Sequence, residues 1–176
     1  MLLNLTLAPA KGWEDVEESS PEPRTTLTRG LIPLLGITAI AVFARAFHFQ
    51  GLTAGYLITE ALTTFIRFFI SYYIALFLMS WFMPSLIPAD HYDEGRISNF
   101  CSLCLGLLAV ISILTDCVPV ELSLVRFLPV YVIIVMWQGR NYLSIPTERQ
   151  IRYIIYASLS ILAPLGLLDM LFGLLT

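Results

Sequence analysis

Apolar residues in this chain come in long blocks, and the polar residues between them are few and clustered. The blocks predict membrane-length helices over about residues 31–47, 56–83, 97–115, 122–137 and 151–174, each long enough or nearly long enough to cross a hydrocarbon layer of about 30 Å. The second block is the longest and carries Phe65, Phe68, Phe69, Tyr72, Tyr73, Phe77, Trp81 and Phe82, so its helix must tilt or protrude. Pro84 and Pro88 end it, and Asp90-His91-Tyr92-Asp93-Glu94-Gly95-Arg96 reads as a solvated loop. The expected architecture is an all-α bundle of five transmembrane helices, preceded by a polar segment of residues 1–30. Within that segment, Leu5, Ala8, Gly12, Trp13 and Val16 share one side of a short helix begun near Pro9. The pattern predicts that it lies in the membrane interface with Trp13 at headgroup depth, followed by a mobile tether over residues 17–28.

Composition agrees with this reading. Hydrophobic residues make up 57% and charged residues only 13% of the 176-residue chain, far from the roughly 25% charged content of soluble domains. Met1 to Pro9 lacks the basic flank and apolar length of a cleavable signal. Seven of the ten basic side chains are Lys11, Arg24, Arg29, Arg96, Arg140, Arg149 and Arg152, and all seven fall on one side if the N-terminus is cytoplasmic and the C-terminus outside. The stretch that anchors this orientation is an inner-face hairpin marked by Trp137, Gly139, Arg140, Arg149 and Arg152.

The remaining charges fall inside spans or at their outer ends. They form a candidate intramembrane polar cluster of Arg45, Glu60, Thr64, Arg67, Ser71, Asp116, Glu121, Arg126 and Asp169. An ionised group in hydrocarbon costs at least about 2.5 to 3.5 kcal/mol, so each should face the bundle interior, pair or snorkel. Glu60, Thr64, Arg67 and Ser71 stand at i, i+4, i+7 and i+11, which puts them on one stripe of the second span. Two readings of the cluster are open: paired charges that fix helix registry, or a polar cleft that holds or passes a small solute or a lipid headgroup.

Other chemistry has little support. Cys101-x-x-Cys104 lies within an apolar helix, with no second cysteine pair and no nearby histidine, and reads as packing rather than a metal or redox site. The two histidines, His48 and His91, are far apart, so no nucleophile and base can be assembled; the expectation is no enzyme and no cofactor. No basic stripe with interleaved aromatics points to nucleic acid. Ser102-x-x-x-Gly106 and the small residues Ala157, Ser158 and Ser160 allow close helix approach, within one bundle or between copies in a homo-oligomer.

Two stretches resemble a known family. Tyr131 to Pro164, with Trp137-x-Gly139, Leu143, Arg152, Leu159, Ile161, Leu162 and Pro164, is similar to the C-terminal half of bacterial members of the Ypt-interacting-protein (Yip) family. Pro9-Ala10-Lys11-Gly12-Trp13-Glu14-Asp15-Val16 is similar to the segment before their first span. The resemblance implies a five-span protein of the bacterial cytoplasmic membrane that handles a lipid or protein partner at its cytoplasmic face. Eukaryotic relatives act in vesicle traffic and bind prenylated small GTPases. It transfers no functional residues. The expected function is a non-catalytic scaffold or adaptor, the alternative a small-solute or lipid transporter using the polar cluster.

Overall fold

The computed structural model describes residues 2–48, 51–117 and 128–173. Among them every regular element is helical: α1 (Leu2–Leu7), α2 (Pro9–Ser19), α3 (Pro23–Thr25), α4 (Ile32–Ala41), α5 (Ala54–Phe82), α6 (Glu94–Cys117), α7 (Leu128–Gln138) and α8 (Gln150–Gly173). Four rods are long and apolar enough to cross a membrane: Pro23–Phe47, Ala54–Ser85, Glu94–Cys117 and Thr147–Gly173. The expected span 122–137 is represented by α7, and its first residues, 122–127, lie outside the described residues.

The first rod starts earlier than its apolar pattern suggests. It runs from α3 through a π-helical stretch, Thr26–Leu31, into α4, and ends in the 3₁₀ segment Val42–Phe47. Pro33 is therefore inside a continuous rod rather than in its first turn. A proline ring clashes with the carbonyl four residues back, and the wide π turns just upstream are where such a misfit is absorbed. The hydroxyls of Thr26 and Thr28 donate to the carbonyls of Glu22 and Arg24, so polar side chains close on their own backbone and the helix extends into a stretch that reads as tether.

The centre of the bundle is α6. From Asn99 to Ala109 every residue is buried, so the helix is enclosed on all sides, as expected where apolar residues run round the whole circumference. Helices α4, α5 and α7 pack around it, and α8 lies along α5. Outward faces are apolar too: Phe77, Trp81, Ile151 and Leu167 are largely exposed, as lipid-facing side chains should be.

At the N-terminus the structure departs most from the sequence reading. Trp13 is covered by protein rather than lipid: it is 3% exposed, stacked between Phe100 and Tyr142 at 5.2 Å from each. Leu5 and Val16 are fully buried beside it. Residues 17–28 are not a free tether either. Asn99 donates to the Pro21 carbonyl at 2.8 Å, and Arg96 pairs with Glu17 at 3.5 Å. An amphipathic pattern shows that one side of a helix is apolar, not whether lipid or protein covers it; here protein does.

Candidate functional site

Two polar regions stand at opposite ends of the bundle. One end carries most of the predicted cluster. The 3₁₀ turn at the end of the first rod presents Arg45, whose Nε and Nη2 reach Asp116 Oδ1 on α6, both at 2.7 Å, while Nη1 is 3.4 Å from Glu60 Oε1 on α5. The Asp116 side chain is only 2% exposed against 30% for Arg45, so the acid is enclosed and the arginine reaches in from the rim. Next along α5, Arg67 pairs with Asp169 on α8. His48 Nε2 lies 3.1 Å from the Cys117 carbonyl, linking the end of the first rod to the end of α6.

The predicted stripe on α5 does face inward, with Thr64 and Ser71 buried. Within it, however, Glu60 and Arg67 make separate pairs rather than one shared one. Glu121 and Arg126, the other proposed members, lie outside the described residues. Among the described residues the cluster is not wholly satisfied: Arg67 Nε, Ser71 Oγ and Asp116 Oδ2 are buried without a hydrogen-bond partner there. Such atoms cost about 1–3 kcal/mol each unless water or another group reaches them.

The other end is the hairpin between α7 and α8. A helix terminating inside an apolar bundle leaves its last carbonyls without partners, and each must be satisfied locally. In α7 the Gly139 and Arg140 amides turn back to the Val135, Met136 and Trp137 carbonyls, and a side-chain donor adds to each. The Trp13 indole donates to the Val135 carbonyl at 2.9 Å, the Tyr153 hydroxyl to Met136 at 2.7 Å, and Arg140 to Trp137 at 3.0 Å. Nearer the start of α7, the Tyr131 hydroxyl donates to the Thr6 carbonyl at 2.6 Å.

Gly139 follows directly, and its lack of a side chain is required by contact. A Cβ there would fall 2.7 Å from a Phe100 ring carbon and 3.1 Å from Trp13. The two stretches singled out by resemblance, around Trp13 and around Gly139, are thus in direct contact. Their separation of more than a hundred residues hides this from sequence periodicity.

The hairpin arginines divide by role. Arg149 donates to the Ser85 and Leu86 carbonyls at 3.1 and 3.3 Å, tying the end of α5 to the start of α8. Arg140 lies over the Trp137 ring at 4.8 Å. Arg96 donates to the Tyr142 carbonyl at 2.8 Å. Burial pushes the Tyr142 phenol above its ordinary value, with Asn99 and Arg96 pulling the other way. Arg152 makes no ion pair or hydrogen bond among the described residues. The loop acid Asp93 shapes its own turn, its side chain accepting from the Gly95 amide at 2.7 Å as α6 begins.

Cys101 and Cys104 are both fully buried in α6, and no group of three or more metal-ligating side chains occurs among the described residues. Of the two best-formed cavities, a shallow apolar groove of about 520 Å³ lies between α7 and α8, and a polar one of about 60 Å³ lies beside Trp13 and Tyr142. Neither touches the Arg45, Glu60, Asp116, Arg67 and Asp169 pairs; the polar one is lined in part by Glu17, the partner of Arg96. No family model matches the chain, and neither a curated protein nor a solved structure shows significant similarity to it.

Proposed function

We propose that this protein is a non-catalytic, five-span scaffold or adaptor of the Yip type in the bacterial cytoplasmic membrane, with its N-terminus inside and its C-terminus outside. One observation carries the reading: charges from four separate segments pair with one another between helices, and the groove between α7 and α8 and the recess beside Trp13 lie away from those pairs. Charged groups arranged in this way hold helices in register. The surface left for a partner is the hairpin end, where residues 1–30, 84–96 and 138–150 converge and seven of the ten basic residues cluster. The bias in lysine and arginine, which orients spans independently of net charge, supports the cytoplasmic assignment.

The transport alternative keeps one support, the buried and unpartnered Asp116 Oδ2 and Arg67 Nε. Two measurements test the pair of readings. Affinity capture through a C-terminal tag, from membranes in mild detergent, is expected to recover a partner in constant ratio, lost when residues 84–96 are replaced. Solute-swelling assays on proteoliposomes should match protein-free vesicles. Swelling abolished by Asp116→Asn would replace the scaffold with a transporter. A reporter fused within residues 85–95 that is active outside the cell would reverse the orientation.

A further inference from the structure

The groove between α7 and α8 and the arginines at its end form one feature. Its walls are apolar: Ile133 on α7, and Ile155, Ser158, Leu159, Leu162 and Ala163 on α8. It is a shallow, open groove of about 520 Å³ along the outer surface of the two helices. Both walls end in a guanidinium, and at the same end. On α8, Arg152, Ile155, Leu159 and Ala163 stand at i, i+3, i+7 and i+11, so Arg152 continues the stripe that forms the wall. On α7, Trp137 lies one turn beyond Ile133, and Arg140 stacks on the Trp137 ring. The bond from the Tyr153 hydroxyl to the Met136 carbonyl sets these two ends side by side.

Neither arginine has a carboxylate partner among the described residues, in contrast to Arg45, Arg67 and Arg96. From Gln138 to Arg152 three arginines face a single acid, Glu148. The nearest acids of α2, Glu14 and Glu17, line the separate recess beside Gln138, Asn141 and Tyr142; an apolar channel ending in two arginines without ion-pair partners among the described residues is complementary to one kind of molecule. We infer that the α7–α8 groove is a specific site for an anionic phospholipid, one acyl chain lying along Ile155, Leu159 and Ala163 and the phosphate held between Arg140 and Arg152. Trp137 marks the headgroup level, where indole rings settle. Basic recesses between spans bind anionic headgroups by this same charge complementarity. The inference stands whether or not the chain is a scaffold, since it requires only that α7 and α8 lie in a bilayer.

Native mass spectrometry of the full-length, detergent-purified protein tests it, with phosphatidylglycerol and phosphatidylcholine of identical acyl chains as probes. One retained phosphatidylglycerol is expected at concentrations where phosphatidylcholine leaves none. Each arginine near the surface contributes about 1 kcal/mol, so the Arg140→Gln/Arg152→Gln double variant should bind about thirtyfold more weakly. Ala163→Phe, which fills the channel and keeps both charges, should also lose the bound lipid. If a variant fails to fold, the unmodified protein still decides: its preference for phosphatidylglycerol should shrink as ionic strength rises. Equal retention of the two lipids, or undiminished binding by the double variant, overturns the proposal. So does a disulfide between chains in Ser158→Cys, which would show that a second copy fills the channel.

Discussion

The two ends of the bundle are held together by different physics. Where the first rod meets α6, α5 and α8, the joints are ion pairs, partly open at the rim and bordered by buried polar atoms without partners. At the hairpin, the joints are mainly shape and hydrogen bonds to backbone carbonyls, with one exposed ion pair beside them: Trp13 fills the space between Phe100 and Tyr142, Gly139 leaves room for it, and the Trp13, Tyr153 and Arg140 side chains donate to carbonyls of the last turn of α7. Charges can be removed in matched pairs with little net loss. A fitted ring cannot be removed without leaving a hole, so the ends should respond to mutation in opposite ways.

The largest effect is expected from Trp13→Ala. Truncating a buried aromatic costs about 3–5 kcal/mol, read as a drop in thermal unfolding temperature in detergent and as rapid proteolysis before residue 23. Next comes Asp116→Asn at about 2–3 kcal/mol, below the figure for a wholly buried pair because the Arg45 side chain keeps 30% of its exposure. Here the comparison can be broken. The Arg45→Leu/Asp116→Leu double variant should recover most of the loss, and if it fails to do so the ion-paired joints too depend on shape.

Much of the ion-paired end is legible from spacing alone. Glu60, Thr64, Arg67 and Ser71 share a helical stripe, and in the structure Thr64 and Ser71 on that stripe are buried. Ionised groups in an apolar block must be accounted for somehow, so they announce themselves. The partners on other helices cannot be read, because pairing depends on how the rods are arranged around α6. At the hairpin end the pattern misleads where it matters. Trp13 and Val16 form a side that fits lipid and protein equally well, and only a partner 122 residues later along the chain decides between them. Arg24, Thr26, Thr28 and Arg29 look like linker, yet the threonine hydroxyls bond backward into the helix they occupy. Gly139 stands out as a motif residue without its reason, which is the approach of two rings.

Smaller effects refine the contrast. Gly139→Ala should cost about 1–3 kcal/mol, since the added methyl meets a ring on each side and the core is already filled. Phe100→Leu combined with it should give part of that back. The smallest expected effect concerns pH. Tyr142 has a folded pKa raised above its ordinary value of 10.0, so its contribution is fully present below pH 10 and is lost as pH rises through the folded value. Unfolding temperatures measured from about pH 8 to 11 should fall at the alkaline end, and Tyr142→Phe should flatten that fall.

The bond between Trp13 and the Val135 carbonyl also imposes a timetable. Translation at about 5–20 residues per second puts roughly 6–24 s between the emergence of the indole and that of its acceptor. For that interval Leu5, Trp13 and Val16 have no home in the bundle, and the nascent chain displays a sticky helix to the ribosome exit, the insertion machinery and the bilayer surface. A segment made ahead of every long rod is thus among the last to be seated, once α7 has emerged to receive it.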